Sequence, residues 1–459
     1  MLCVRRLGWL ARVGLLLVLP MHASVIGTNT PAMSLTEARV MALPAGERGP
    51  WLEYLRRSGE QMRADKAALA AERAGLATLP GLPKSSGSAH SIPTRRDAAF
   101  YKSDETRHIA EVVLSFQTPG GGWSKNLDMG AVVRPRGQSY AGANLSPVPG
   151  TAKDFDNPLD ENWHYISTLD NDATNTELHF LAEMSAAWPG HEGDAYRASA
   201  LRGFEYLLRA QYPNGGWPQV WPLEGGYHDA ITFNDDAVTE SAETLRDVAA
   251  GAAVGAEKDA APEDYSLVPE EMRARAKVAV ARALEIILKT QIRMPAADGK
   301  ATVLTVWAQQ FDPLTLAPVS ARNYEMPALC SDESAGVMEY LMTIERPSAE
   351  VVRAIEAAAA WFEAHKIMGY DWTGGRWTPG GRQLVAKAGA GPLWARYYSL
   401  GDPAKGGGKP IFGDRDKSIH DDLMEISLER RNGYGWYGRG PEEALEQYAV
   451  WRKEVGSRR

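Results

Sequence analysis

A short echo constrains the fold of this chain more than any other feature. Gln117-Thr-Pro-Gly-Gly-Gly-Trp123 returns as Gln211-Tyr-Pro-Asn-Gly-Gly-Trp217, and each copy follows a helical run. The run before the second copy carries Leu201, Phe204, Leu207 and Leu208 at helical spacing. A helix that stops in a glycine turn and delivers a tryptophan, repeated, is the expected unit of an α/α toroid. The turns of such units line one face. Each tryptophan has two readings: a core residue behind a helix stop, or part of a groove wall. One turn can serve both.

Further helical runs are expected at 50–76, 98–116, 173–187, 235–252, 269–290, 333–343, 348–365 and 418–431. Residues 130–163 read as a long Pro/Gly/Asn/Asp loop, of the kind that tends to be functional. Residues 371–415 read as turn and loop, and an acidic stretch at 255–264 as an exposed connection. Alternating β runs are few, and no strand–glycine loop–helix nucleotide motif occurs. The fold class is therefore mainly α, with long loops and the helix–turn unit of an α/α toroid.

Arg5, Arg6 and Arg12 precede the apolar run from Val13 to Leu19, which reads as a secretory signal peptide over 1–23. Arg12 makes the run too short for a membrane span. Residues 24–95 form an expected N-terminal helical appendage ending in a breaker-rich linker at 79–93, and 96–459 the main domain. The implied location is secreted or periplasmic, as a monomer with no membrane span in the mature protein. The net charge is −8, and it becomes more acidic once the leader's arginines leave. General nucleic-acid binding is disfavoured by that sign. The two cysteines, Cys3 and Cys330, exclude a disulfide scaffold and a cysteine zinc site.

Two acidic clusters open expected helices. Ser167-Thr-Leu-Asp170-Asn-Asp172-Ala-Thr174-Asn-Thr-Glu177 offers Thr174 or Asp172 as a cap, with Glu177 closing a capping box. Thr232-Phe-Asn234-Asp235-Asp236 repeats the pattern. Capping explains one or two of these groups. Convergence of Asp170, Asp172, Asp235 and Asp236 on one hard cation, Ca²⁺ or Mg²⁺, explains more. Arg322, Arg396 and Arg415 each sit beside aromatics in loop-like segments. Guanidinium forks suit carboxylates. Ion pairing with Glu325, Asp414 or Asp416 is the structural alternative. The chain has 14 tryptophans; with oxygen-rich cation ligands and these arginines they point to an acidic sugar polymer.

Eight stretches then matter in their order: Gly120-Gly-Gly-Trp-Ser-Lys-Asn126, Leu169-Asp-Asn-Asp-Ala-Thr174, Gln211-Tyr-Pro-Asn-Gly-Gly-Trp-Pro-Gln219, Ile231-Thr-Phe-Asn-Asp-Asp-Ala237, Trp307-Ala-Gln-Gln-Phe-Asp312, Ala321-Arg-Asn-Tyr-Glu-Met-Pro327, Pro392-Leu-Trp-Ala-Arg-Tyr-Tyr398 and Arg430-Arg-Asn-Gly-Tyr-Gly-Trp436. With them the chain resembles the family 10 polysaccharide lyases, which are pectate lyases. The resemblance implies an irregular (α/α)3 toroid-like barrel, a long open cleft, Ca²⁺ as cofactor, and β-elimination on α-1,4-linked polygalacturonate. By resemblance, Asp170 is a calcium-binding aspartate, Asp235 a second acidic active-site residue, Arg322 the catalytic base and Arg415 a clamp for substrate carboxylate. It further implies substrate contacts from Arg396, Lys125, Asn234, Trp123 and Trp217. The family commonly has glycine at the position of Asp172, so that carboxylate either joins the cation site or faces solvent. The stretch Gly406-Gly-Gly-Lys409 precedes the Arg415 segment and disturbs its register. An arginine base has a free pKa above about 12, so Arg322 is expected to be desolvated and crowded by cations.

Other readings use the same residues. Both echoes fit Gln-x-x-x-Gly-x-Trp, a pattern of triterpene cyclases, but those need an apolar cavity and a larger chain. A glycoside hydrolase on an α/α toroid would use paired carboxylates without calcium. A non-catalytic uronate-polymer binding protein would bind without generating chain ends.

Overall fold

Most long helices stand where the apolar spacing puts them. The structure is a computed structural model that describes residues 25–85, 92–94, 96–144, 151, 153–252, 264–296, 298–375, 377–402 and 407–457. The expected leader and most of the acidic stretch at 255–264 lie outside the described residues. The helices are α1 (Glu37–Met41), α2 (Ala45–Arg73), α3 (Asp104–Phe116), α4 (Asn175–Ala187), α5 (Asp194–Ala210), α6 (Ala237–Ala250), α7 (Glu270–Thr290), α8 (Ser331–Met342), α9 (Ala349–Ala364), α10 (Leu428–Asn432) and α11 (Gly440–Ser457). Helices α3, α5, α7 and α9 pack side by side in one row, and α4, α6 and α8 form a second row against it. The described strands are short, mostly paired in twos, and close no barrel. The architecture is an open, irregular (α/α)3 toroid. No described helix is long and apolar enough to cross a membrane.

The echo is a staple. The last four carbonyls of any helix lack partners within it. Trp123 Nε1 donates to Val113 O (2.8 Å), Trp217 Nε1 to Leu207 O (2.9 Å), Trp307 Nε1 to Ile287 O (2.7 Å) and Trp394 Nε1 to Phe362 O (2.9 Å). Each acceptor lies in the last turn of α3, α5, α7 or α9. The glutamine ends the same helix and reaches sideways. Gln117 Nε2 donates to Gly121 O and to Ser199 O of α5. Gln211 does the same to Gly215 O and Ala279 O of α7, and Gln291 to Thr305 O and Ala354 O of α9. The third copy escapes sequence reading because a hairpin, Arg293–Pro295 with Thr302–Leu304, separates Gln291 from Trp307. Glycine is required inside the turn. Gly121 and Gly215 have φ of 103° and 100°, and a Cβ there would lie 2.4 Å from Arg202 O or 2.2 Å from Arg282 O.

The N-terminal segment is less of an appendage than expected. Val25–Thr28 pairs antiparallel with Ser418–His420, which also pairs with Phe412–Gly413. Trp51 and Tyr54 of α2 pack on Tyr212, and Tyr54 Oη donates to Ala210 O at the end of α5 (2.7 Å). Leu35, Val40, Trp51 and Tyr54 belong to the main core. The helix expected at 418–431 does not form. Asp422 caps a 3-10 turn at Leu423–Glu425 and Ser427 caps α10, so local side-chain acceptors break the run. Leu423 and Ile426 instead join a smaller core around Phe412 and Trp436.

Trp217→Phe removes the indole donor to Leu207 O, which keeps its bond from Gln211 N, and should lower unfolding free energy by about 1 kcal/mol for the lost hydrogen bond. Chemical denaturation checks this. A midpoint no lower than that of the control Trp377→Phe, at an exposed site, would refute the staple.

Candidate active site

The inner helices α4 and α6 start from matching mouths. In Thr168-Leu-Asp170-Asn171-Asp172 the Thr168 hydroxyl accepts from Asp170 N, and in Thr232-Phe-Asn234-Asp235-Asp236 Thr232 accepts from Asn234 N. The next two residues are left-handed in both: Asn171 and Asp172 (φ 52° and 57°), Asp235 and Asp236 (φ 48° and 53°). Asn and Asp tolerate that region best among residues with a Cβ. The main-chain frame also repeats. Thr168 N donates to Trp123 O, Thr232 N to Trp217 O and Cys330 N to Trp307 O. The residues that follow donate to the carbonyls of Gln219, Gln309 and Arg396. Asp170, Asn234 and Asp332 therefore occupy equivalent places.

Asp170 and Asp235 meet at Asn234. Asn234 Nδ2 donates to Asp170 Oδ1 (3.1 Å) and to Asp235 Oδ2 (2.8 Å). Asp170 also accepts from Gln219 Nε2 (2.7 Å) and from Lys125 Nζ. Burial opposes the charge on Asp170, but Lys125 and Arg322 outweigh it and hold its carboxyl below the usual range. Asp235 is pushed up, by burial first and then by the charge of Asp170. Both line a cavity of about 330 Å³ with Arg322, Gln219 and Gln310. Gln219 Oε1 and Gln310 Oε1 are buried without a hydrogen-bond partner. Carboxylate and amide oxygens without sulfur or imidazole fit a hard cation such as Ca²⁺.

Of the four expected cation carboxylates, Asp235 borders two cavities: the one above with Asp170, and a neighbouring one of about 290 Å³ that it lines with Asp236, Asp332, Glu333, Glu339 and Arg396 among others. Asp172 acts on Asp236, Glu177 and Glu240, and helps push all three carboxyls up after burial does so. Asp172 and Asp236 thus stand in an acidic flank beside the Asp170–Asp235 pair.

On the other side the cavity opens into a basic cleft of about 600 Å³, lined by Lys125, Arg322, Arg382, Arg415 and Arg430 among others. Arg322 donates to Glu325 through Nε (2.9 Å) and Nη2 (2.6 Å). Burial works against its charge, but Glu325 keeps it firmly protonated. Arg396 pairs with Glu333 and Asp332. Arg415 pairs with Glu429 (2.7 Å) rather than with the side chain of Asp414 or Asp416. Lys125 also lies over the Tyr165 ring at 3.6 Å.

Trp123 and Trp217 are corrections. Both are 0% exposed, so neither ring offers a face to a sugar. Tyr165, Tyr227, Tyr324 and Tyr434 supply the aromatic surface instead. Sequence reading did not single out these tyrosines, Arg382 or Arg430; Arg430 lies in a stretch quoted only for resemblance.

The pectic acid lyase family model matches residues 117–445. The family 10 polysaccharide lyase from Cellvibrio cellulosa is 31% identical with a TM-score of 0.59, over 78% of this chain and 97% of that one. An aspartate-to-alanine mutant of it, in complex with trigalacturonic acid, is 30% identical with a TM-score of 0.60, over 77% and 95%. Protostadienol synthase A of Neosartorya fischeri and that of Aspergillus fumigatus are 28% and 27% identical over 140 residues, 28% of this chain. The chain spans only 18% of the length of those curated relatives. Fold and site together are of the polysaccharide lyase class. The chain belongs to the pectic acid lyase family, family 10 of those lyases.

Buried Glu177 accepts from Thr174 N (2.7 Å), and burial pushes its carboxyl up to about 7. A raised folded pKa contributes stability that is full below the unfolded value and lost as pH rises through about 7. Glu177→Gln should therefore gain on the parent by up to about 3 kcal/mol between pH 5 and pH 8. Denaturation at both pH values checks this; a constant difference would refute it.

Proposed function

We propose that the chain is a pectate lyase that cleaves α-1,4-linked polygalacturonate by β-elimination, with Ca²⁺ held at Asp170 and Asp235. One observation carries this reading. Two carboxylates bridged by Asn234 and a half-buried arginine face one small cavity at the foot of an arginine-lined cleft. An anionic polymer suits the cleft, and a cation suits the carboxylate pair.

The reaction needs a C–H acid made stronger. The C5 proton lies next to the uronate carboxylate, and bound Ca²⁺ would neutralise that carboxylate. Lys125 and Arg415 clamp uronate groups, with Arg382 and Arg430 along the same wall. Arg322 takes the C5 proton. The C–H electrons form the C4=C5 double bond, the C4–O4 bond breaks, and O4 leaves to take a proton from solvent. No water is consumed, and the product end is a 4,5-unsaturated sugar. Arg322 must first leave Glu325 and give its own proton to solvent, because only the neutral guanidine accepts the C5 proton, and taking that proton returns it to the charged form. Asp172 and Asp236 stay outside the cation site in this scheme.

Residues 96–459 carry the chemistry, braced by the N-terminal segment, and residues 1–23 direct export to the periplasm or medium as a monomer. Mass measurement of the exported chain tests that cleavage.

Incubation with polygalacturonate should yield the ultraviolet absorbance of the conjugated double bond, abolished by EDTA and restored by Ca²⁺. New reducing ends without that absorbance would mean hydrolysis, and binding without new ends would mean a binding protein. Turnover should rise from about pH 6 to about pH 10 as the neutral fraction of arginine grows. A flat profile, or an Arg322→Ala variant that still turns over, removes Arg322 from the base role. Arg415→Ala should raise KM about tenfold or more with a smaller change in kcat, as expected for a lost charge-assisted contact. An unchanged KM would exclude the clamp.

A further inference from the structure

We propose that His164, Glu224 and His228 form a separate site for a divalent transition metal of the zinc type, set in the wall beside the cleft. The assignment is independent of the lyase reading. One ligand atom from each of the three residues lies within 4.8 Å of the others. His164 Nδ1 meets Glu224 Oε1, and Glu224 Oε2 accepts from Tyr165 N (3.0 Å).

His228 supplies the second observation. Its residue is 3% exposed, and its Nδ1 lies 3.3 Å from Gly225 O, to which it donates. That bond leaves the lone pair on Nε2, which is buried and has no hydrogen-bond partner. A buried polar atom without a partner is a cost that a bound ion removes. Second bonds from a ligating histidine to a backbone carbonyl are the usual way its ring is fixed. The ring is also held by stacking on Tyr227, with centroids 4.1 Å apart, and by the edge of Tyr165 at 4.8 Å.

The donor set selects the ion. Two imidazoles and one carboxylate suit zinc, with a fourth position left for water, whereas Ca²⁺ takes oxygen ligands. Access exists from two sides. Glu224 and His228 line a cavity of about 480 Å³ near Asn29 and Phe155, and His164 lines the basic cleft. The ion would tie the loop of Tyr165 to that of Tyr227, whose hydroxyls are 3.1 Å apart.

The test titrates the chelator-stripped chain with Zn²⁺ by calorimetry in excess Ca²⁺, and records the visible spectrum with Co²⁺ in place of zinc. One equivalent of Zn²⁺ and the intense spectrum of low-coordinate, nitrogen-ligated Co²⁺ are expected. His228→Gln and Glu224→Gln should each weaken Zn²⁺ binding at least about tenfold. His191→Gln, at an exposed histidine, should leave it unchanged. Failure of the parent chain to bind Zn²⁺, a spectrum of fully hydrated Co²⁺, or equal binding by the parent and His228→Gln would overturn the site. The spectrum of the parent decides the matter even if a variant does not fold.

Discussion

An indole N–H bound to a carbonyl in the last turn of a helix is the interaction on which this architecture rests. It occurs at α3, α5, α7 and α9, and it gives a donor to carbonyls of the last turn, where a helix has the fewest of its own. Where glutamine ends the helix, its amide ties that turn to the next helix in the row. The row is thus built from hydrogen bonds between ends and flanks as well as from apolar packing. The tryptophans do this only because they are buried, which is why they cannot also stack on a substrate.

The staple also positions the chemistry. The carbonyls of Trp123, Trp217 and Trp307 receive N–H groups from the mouths of α4, α6 and α8. One frame thereby delivers Asp170, Asn234 and Asp332 to equivalent places. Different side chains in one frame give different electrostatics. At the first mouth a carboxylate is held ionised by Lys125 and Arg322; at the second an amide bridges it to Asp235. At the third, Asp332 and Glu333 pair with Arg396. Charge is sorted along the cleft, with most of its arginines at one end and most of its carboxylates at the other.

Much of this was legible in the residues. Helix positions followed apolar spacing, and α7 lies within one residue of its expected start. The echo announced the repeat, and the clustered acids and loop arginines announced a site rich in both charges. Legibility failed where one residue's role depends on distant partners. The hairpin inside the third repeat hides Gln291 from Trp307. The partner of Arg415 is Glu429, not a neighbour in sequence. The apolar residues of 418–431 look helical until local caps break the run and a small core claims them.

The sequence by itself determined the element types, the helix stops and the chemical character of the site, because propensity, periodicity and turn chemistry act over a few residues. Only the tertiary structure decided which groups converge. It joined Asp170 to Asp235 through Asn234, placed Glu429 on Arg415, and brought His164 to Glu224 and His228. Those outcomes depend on long-range packing, where burial and the field of neighbouring charges set what each side chain can do.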